Sequence, residues 1–136
     1  MNLDKLMDDL IRDEGLKLKP YRCTAGKLTI GIGRNIEDNG ITDGEARYLL
    51  QNDIGRFMNE LNRNIPWWQS LPEMQKNALL NMCFNMGWPR LSQFKNMLAA
   101  LEAGDYEKAG DEALDSRWAG QVGGRANRIS AQLKGV

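Results

Sequence analysis

The chain has 136 residues, 42% of them hydrophobic and 26% charged, the composition of one ordinary globular domain with a real interior. Its 18 basic and 18 acidic side chains cancel, which argues against a nonspecific nucleic-acid binder, whose surface must be cationic. There is no histidine and there are only two cysteines, which excludes a Cys-His nucleophile pair, a histidine-ligated zinc and a disulfide framework.

No apolar run reaches the roughly 20 residues needed to span a bilayer. Met1-Asn2-Leu3-Asp4-Lys5 has neither the basic start nor the apolar stretch of a signal peptide. A chain made in the cytoplasm, without stable membrane insertion, is expected. Leu3, Leu6, Met7, Leu10 and Ile11 follow helical spacing and predict an amphipathic helix. Gly15 is its natural stop, and Pro20 discourages continuation. Leu28, Ile30 and Ile32 alternate with Thr29, Gly31 and Gly33, a period-two strand. With Ala25-Gly26 as the turn, residues 21–34 read as a small hairpin.

Residues 35–41 are polar and end in Asn39-Gly40, so a loop is expected there. Thr42 and Glu45 have the spacing of a capping box. They open a helix with Ala46, Leu50, Ile54, Phe57 and Leu61 on one face, ~30 Å long if it runs to about residue 62. Pro66 and Pro72 bracket Trp67-Trp68, read as packing in a tight connector rather than as a sugar-stacking platform. Further helices are expected over about 73–86, around Phe94–Leu101 ending at Gly104, after Asp105, and beyond Gly123-Gly124. Cys83, within Leu80-Asn81-Met82-Cys83-Phe84, reads as a small buried hydrophobe.

The chemistry-bearing stretch lies early. Glu14 ends the first helix, where the macrodipole disfavours a negative charge. A carboxyl that stays protonated near neutral pH is what a general acid requires. Cys23 follows after eight residues and Thr29 after five more, across the hairpin.

Three runs carry a family resemblance. The first is Glu14-Gly15-Leu16-Lys17-Leu18-Lys19-Pro20-Tyr21, Cys23-Thr24, Gly26 and Thr29-Ile30-Gly31-Ile32-Gly33. The second is Ala78-Leu79-Leu80-Asn81-Met82-Cys83-Phe84-Asn85-Met86-Gly87. The third is Ser116-Arg117-Trp118, Gln121 and Arg125-Ala126. Together they make the chain resemble the phage-type lysozymes over nearly its whole length, with Cys23 where most of that family has aspartate.

The resemblance implies an α+β, mainly helical, lysozyme-like fold. A small N-terminal hairpin lobe, about 15–41, would be joined by a long helix to a helical lobe of 1–14 and 42–136, with a cleft between lobes. It implies an endolysin that hydrolyses the β-1,4 bond between N-acetylmuramic acid and N-acetylglucosamine in peptidoglycan. In that reading Glu14 is the general acid, and Cys23 with Thr29 positions water on the opposite face, with ~6.5–9.5 Å between the two groups as in inverting enzymes. It implies no cofactor, a glycan strand as partner, and a monomer. It also implies synthesis in the host cytoplasm and release through a holin-type pore.

Asn35, Phe84, Asn85 and Arg125 are the implied substrate-binding residues. Arg125 is also read either as a partner of Glu14 or as a staple for the last helix. Cys23 stands open as a water-orienting group, a thiolate base, a spectator, or the mark of a changed activity. Two alternatives stand beside hydrolysis: a lytic transglycosylase, which needs no second base, and an impaired lysozyme fold that only binds the wall. The charge is uneven, with five acids in the first fifteen residues and Arg117, Arg125, Arg128 and Lys134 after Asp115. This reads either as attraction between the two ends of one fold or as a basic surface meeting an anionic polymer.

Overall fold

The computed structural model describes every residue from Met1 to Val136. Contacts divide the chain into two compact units, Met1–Tyr48 and Leu49–Val136. The sequence reading groups residues 1–14 with the helical lobe, whereas contacts group them with the hairpin.

In the first unit, helix α1 (Leu3–Glu14) starts where the Asn2 side chain accepts from the Lys5 N–H at 3.0 Å. It ends at Gly15, whose φ of 81° turns the chain away. Its acids pair locally, Asp9 with Lys5 and Arg12, and Asp13 with Arg12. Leu3, Leu6, Met7 and Leu10 form the expected stripe, yet all remain exposed.

The sheet is an antiparallel meander of β1 (Lys17–Arg22), β2 (Leu28–Gly31) and β3 (Arg34–Asn35). The first strand therefore starts earlier than the predicted hairpin. Pro20 belongs to it because β1 is an edge strand, where a missing N–H breaks little. Moreover, the register shifts there: Lys17 pairs with Gly31 and Tyr21 with Thr29, so the intervening β1 residues bulge.

The expected loop at 35–41 contains a single helical turn, α2 (Ile36–Asn39), capped by Asn35 and stopped by Gly40. A one-turn helix is too short to leave a periodic signal. Thr42 and Glu45 form the capping box reciprocally, with Glu45 N–H donating to Thr42 Oγ1 at 3.1 Å and Thr42 N–H donating to Glu45 Oε1 at 2.8 Å. They open α3 (Asp43–Asn64), whose 22 residues run past the boundary between the units.

The hydrophobic core lies in the second unit. Leu61, Leu79, Met82, Cys83, Leu91, Met97, Leu101, Ile129 and Leu133 are fully buried there. A 3-10 turn (Pro66–Ser70) buries Trp68, whose indole N–H donates to Asn62 Oδ1 at 2.7 Å, so this tryptophan packs as expected. Then come α4 (Glu73–Met86), α5 (Trp88–Leu91), α6 (Lys95–Ala103), α7 (Tyr106–Leu114), α8 (Arg117–Val122) and α9 (Gly124–Lys134). Helix α8 has no counterpart in the sequence reading; Ser116 caps it by accepting from the Ala119 N–H at 3.2 Å.

Helices α7 and α9 pack closely at Gly110. A Cβ on Gly110 would stand 2.8 Å from the Ser130 carbonyl oxygen and 2.6 Å from Lys134 Cγ. The Ser130 hydroxyl donates to the Gly110 carbonyl at 3.0 Å. Lys134 also pairs with Asp111 at 2.7 Å and Glu107 at 3.4 Å. Gly110→Ala should therefore destabilise the protein by ~1–3 kcal/mol through overpacking against backbone. A denaturant melt checks this, and an unchanged midpoint would contradict the close packing.

Candidate active site

The site is built where α1 stops against the sheet. The Gly15 N–H donates to the Ile11 carbonyl at 2.8 Å, closing the helix and leaving Glu14 as its last residue. The Glu14 side chain then lies over Gly33. A Cβ on Gly33 would stand 2.8 Å from Glu14 Oε2 and 3.2 Å from its Cδ. Gly33 also has φ of 71°, the left-handed region that favours glycine.

The β1–β2 turn carries the next two residues. The Gly26 N–H donates to the Cys23 carbonyl at 2.8 Å, and the Cys23 N–H to the Lys27 carbonyl at 3.0 Å. Hydrogen bonds from the backbone N–H of Lys27 first, then of Ala25, hold the Cys23 thiol below its ordinary value against a partial desolvation that raises it. The Thr29 hydroxyl adds to the same lowering. Thr29 is the only buried residue of the first unit, 3% exposed, and its hydroxyl donates to the Lys27 carbonyl at 2.9 Å. Cys23 and Thr29 thus lie near each other across the hairpin turn.

Asn35 is used differently. Its Oδ1 accepts from the Asp38 N–H at 3.0 Å and its Nδ2 donates to the Asp38 carboxylate at 3.0 Å. Its side chain caps α2.

In the second unit, Phe84 is 39% exposed and stacks at a tilt on Phe57 with 5.4 Å between ring centroids. With Leu50, Ile54, Asn81 and Arg125 it lines a surface pocket of about 300 Å³. Arg125 donates to Asn81 Oδ1 through Nε at 3.0 Å and Nη2 at 2.6 Å. Asn85 accepts the Trp118 indole N–H at 2.8 Å, which fixes its amide. Asn81 was not singled out from the sequence. The signal was legible, because Asn77, Asn81 and Asn85 repeat every four residues along a helix that is otherwise apolar after Lys76. Cys83 is buried as expected, and burial, then the charge of Glu60, pushes its thiol up to about 11.

Residues 12–133 match the phage lysozyme family model. The chain belongs to the phage lysozyme family. It is 36% identical over 149 aligned positions to the pre-baseplate central spike protein Gp5 of Enterobacteria phage T4, covering 89% of this chain and 26% of that protein. An endolysin of Acyrthosiphon pisum secondary endosymbiont phage 1 is 33% identical, with 90% and 84% covered. A probable T4-type lysozyme of Dictyostelium discoideum is 29% identical, with 93% and 92% covered. The chain thus spans about a quarter of the spike protein and most of the other two. Its fold is the mainly helical, lysozyme-like α+β architecture expected from the resemblance.

The lysozyme fold's first unit is tied internally by Arg34, whose two terminal nitrogens grip Glu45 at 2.9 and 2.7 Å while Nη1 also reaches the Gly40 carbonyl at 3.2 Å. The Arg34 hydrogen bonds, then the Thr42 N–H, lower the Glu45 carboxyl from 4.5 to about 2. A carboxyl depressed in the folded state contributes stability that is fully present above its unfolded value. That contribution is lost as pH falls from about 4.5 through about 2. The melting temperature should fall across this window, and Arg34→Ala should make that part of the profile shallower. Identical slopes in the two proteins would rule the pair out as a source of acid sensitivity.

Proposed function

We propose that this chain is an endolysin-type muramidase, hydrolysing the β-1,4 bond between N-acetylmuramic acid and N-acetylglucosamine in bacterial peptidoglycan. Membership of the phage lysozyme family supports lysozyme-type glycoside hydrolysis. The observation that carries the finer reading is the shared hydrogen-bonded turn of Cys23 and Thr29, in the same compact unit as Glu14.

Glu14 donates its proton to the leaving O4 as the C1–O4 bond breaks. Cys23 and Thr29 hold the water whose oxygen bonds to C1. The sulfur, as thiolate, accepts that water's proton, and solvent returns a proton to Glu14. The lowering of the Cys23 thiol by the Lys27 and Ala25 backbone supports this role, since it favours the anion over the neutral thiol. Phe84, Asn85 and Arg125 contact the glycan strand. Asn35 acts through the cap it gives α2. No cofactor enters the reaction, and the enzyme works as a monomer in a single lysozyme-like domain.

Similarity to a protein named endolysin supports action on the wall after release from the host cytoplasm through a holin-type pore. No helix is long and apolar enough to cross a membrane. The absence of a carboxylate at Cys23 favours one second reading, a lytic transglycosylase in which the sugar's own 6-hydroxyl attacks C1.

Mass spectrometry of fragments released from purified peptidoglycan separates the two. Fragments with water added at a reducing N-acetylmuramic acid end are expected. Fragments lighter by one water would move the assignment to transglycosylase, and none at all from folded protein would leave only wall binding. Glu14→Gln should abolish release while the fold survives, and Cys23→Ser should lower turnover at an unchanged melting temperature. Full lysis by Glu14→Gln would sink the general-acid role.

A further inference from the structure

Strand β3 is only two residues long. Its register pairs Ile30 with Arg34 and Thr29 with Asn35, and one more step would set Leu28 against Ile36. Ile36 instead opens α2. Because Cys23 and Lys27 close the turn with a hydrogen bond, antiparallel alternation aims the Leu28 N–H away from β1, toward the strand that is missing. A carboxylate takes that strand's place. Glu37 Oε1 accepts the Leu28 N–H at 3.2 Å and Arg22 Nη1 at 3.2 Å. The same Arg22 nitrogen donates to the Gly26 carbonyl at 3.0 Å, and Glu37 Oε2 lies 3.6 Å from Lys27 Nζ.

Glu37 therefore holds the turn at residues 22, 27 and 28. Between and beside these stand Cys23 and Thr29.

We propose that Glu37 is a positioning residue for the Cys23–Thr29 pair: its carboxylate completes the sheet at Leu28 and fixes the turn that carries Cys23 and leads into Thr29. Its effect on turnover rests on the muramidase reading above; its effect on the thiol does not. An exposed ion pair contributes little to stability, so the consequence is local geometry at the sulfur.

The test follows Cys23 alkylation by iodoacetamide in the folded full-length chain from about pH 6 to about pH 10, which spans the ordinary thiol range. Cys83 is fully buried and stays silent. In Glu37→Ala the midpoint should rise and alkylation at neutral pH should fall several-fold. Loss of a negative charge alone would move the midpoint down, so the upward shift reports lost geometry. Turnover on peptidoglycan should fall ~10-fold with KM held, within the range that a misplaced group costs. Glu37→Gln keeps an acceptor for Leu28 and should restore most of both.

Should Glu37→Ala fail to fold, Glu37→Asp keeps the charge but falls one methylene short, and should shift the profile alike. A wild-type profile in either folded variant, or a shifted profile with wild-type turnover, overturns the proposal. Full turnover in Cys23→Ser would make Cys23 a spectator of the muramidase reaction, fragments lighter by one water would strike the muramidase reading itself, and in either case the alkylation profile would decide Glu37 by itself.

Discussion

A carboxylate resting where a side chain would otherwise be governs this site. Glu14 Oε2 lies 2.8 Å from where a Cβ on Gly33 would stand, so a larger residue there would push the carboxylate aside. The helix that delivers Glu14 must also stop at that residue, and Gly15 stops it by adopting a positive φ. Two glycines, one ending the helix and one clearing the sheet, thus set where the acid stands. The small unit has almost no buried interior to do this by packing, Thr29 being its one buried residue.

Polar contacts hold the unit where hydrophobic burial does not. Arg34 and Glu45 tie the sheet to the start of α3 through a two-pronged pair, and Glu37 ties α2 to the β1–β2 turn. Such pairs are directional, so they fix geometry more than they add stability. The second unit is organised by the opposite logic. Its helices close on a continuous apolar core, and Gly110 lets α7 and α9 approach to backbone distance. The contrast divides the labour between a rigid helical body and a small unit whose shape depends on charge.

The two cysteines show how surroundings decide chemistry. Both are thiols of the same intrinsic acidity. At Cys23 the N–H groups of Lys27 and Ala25 favour the anion. At Cys83 burial favours the neutral form and takes the value to about 11. The first is a candidate for chemistry, and the second is core.

Much of this was legible before folding. The period of Leu3–Ile11 gave α1, Thr42 with Glu45 gave a capping box, and the glycine-punctuated run from Glu14 to Gly33 carried the family resemblance that residues 12–133 bear out. The strand containing Pro20, the one-turn α2 and the short α8 were not legible. An edge strand tolerates what an interior strand forbids, and elements of four to six residues are too short for periodicity. The sequence by itself determined the longer helices, through local periodicity, and the family and the types of residue at the site, through the runs that carry the resemblance. Only the tertiary structure decided that Asn35 caps a helix, that Arg125 is held by Asn81, and that Glu37 stands in for a missing strand. Those are choices among hydrogen-bond partners, and a partner is fixed only when the backbone has brought it within reach.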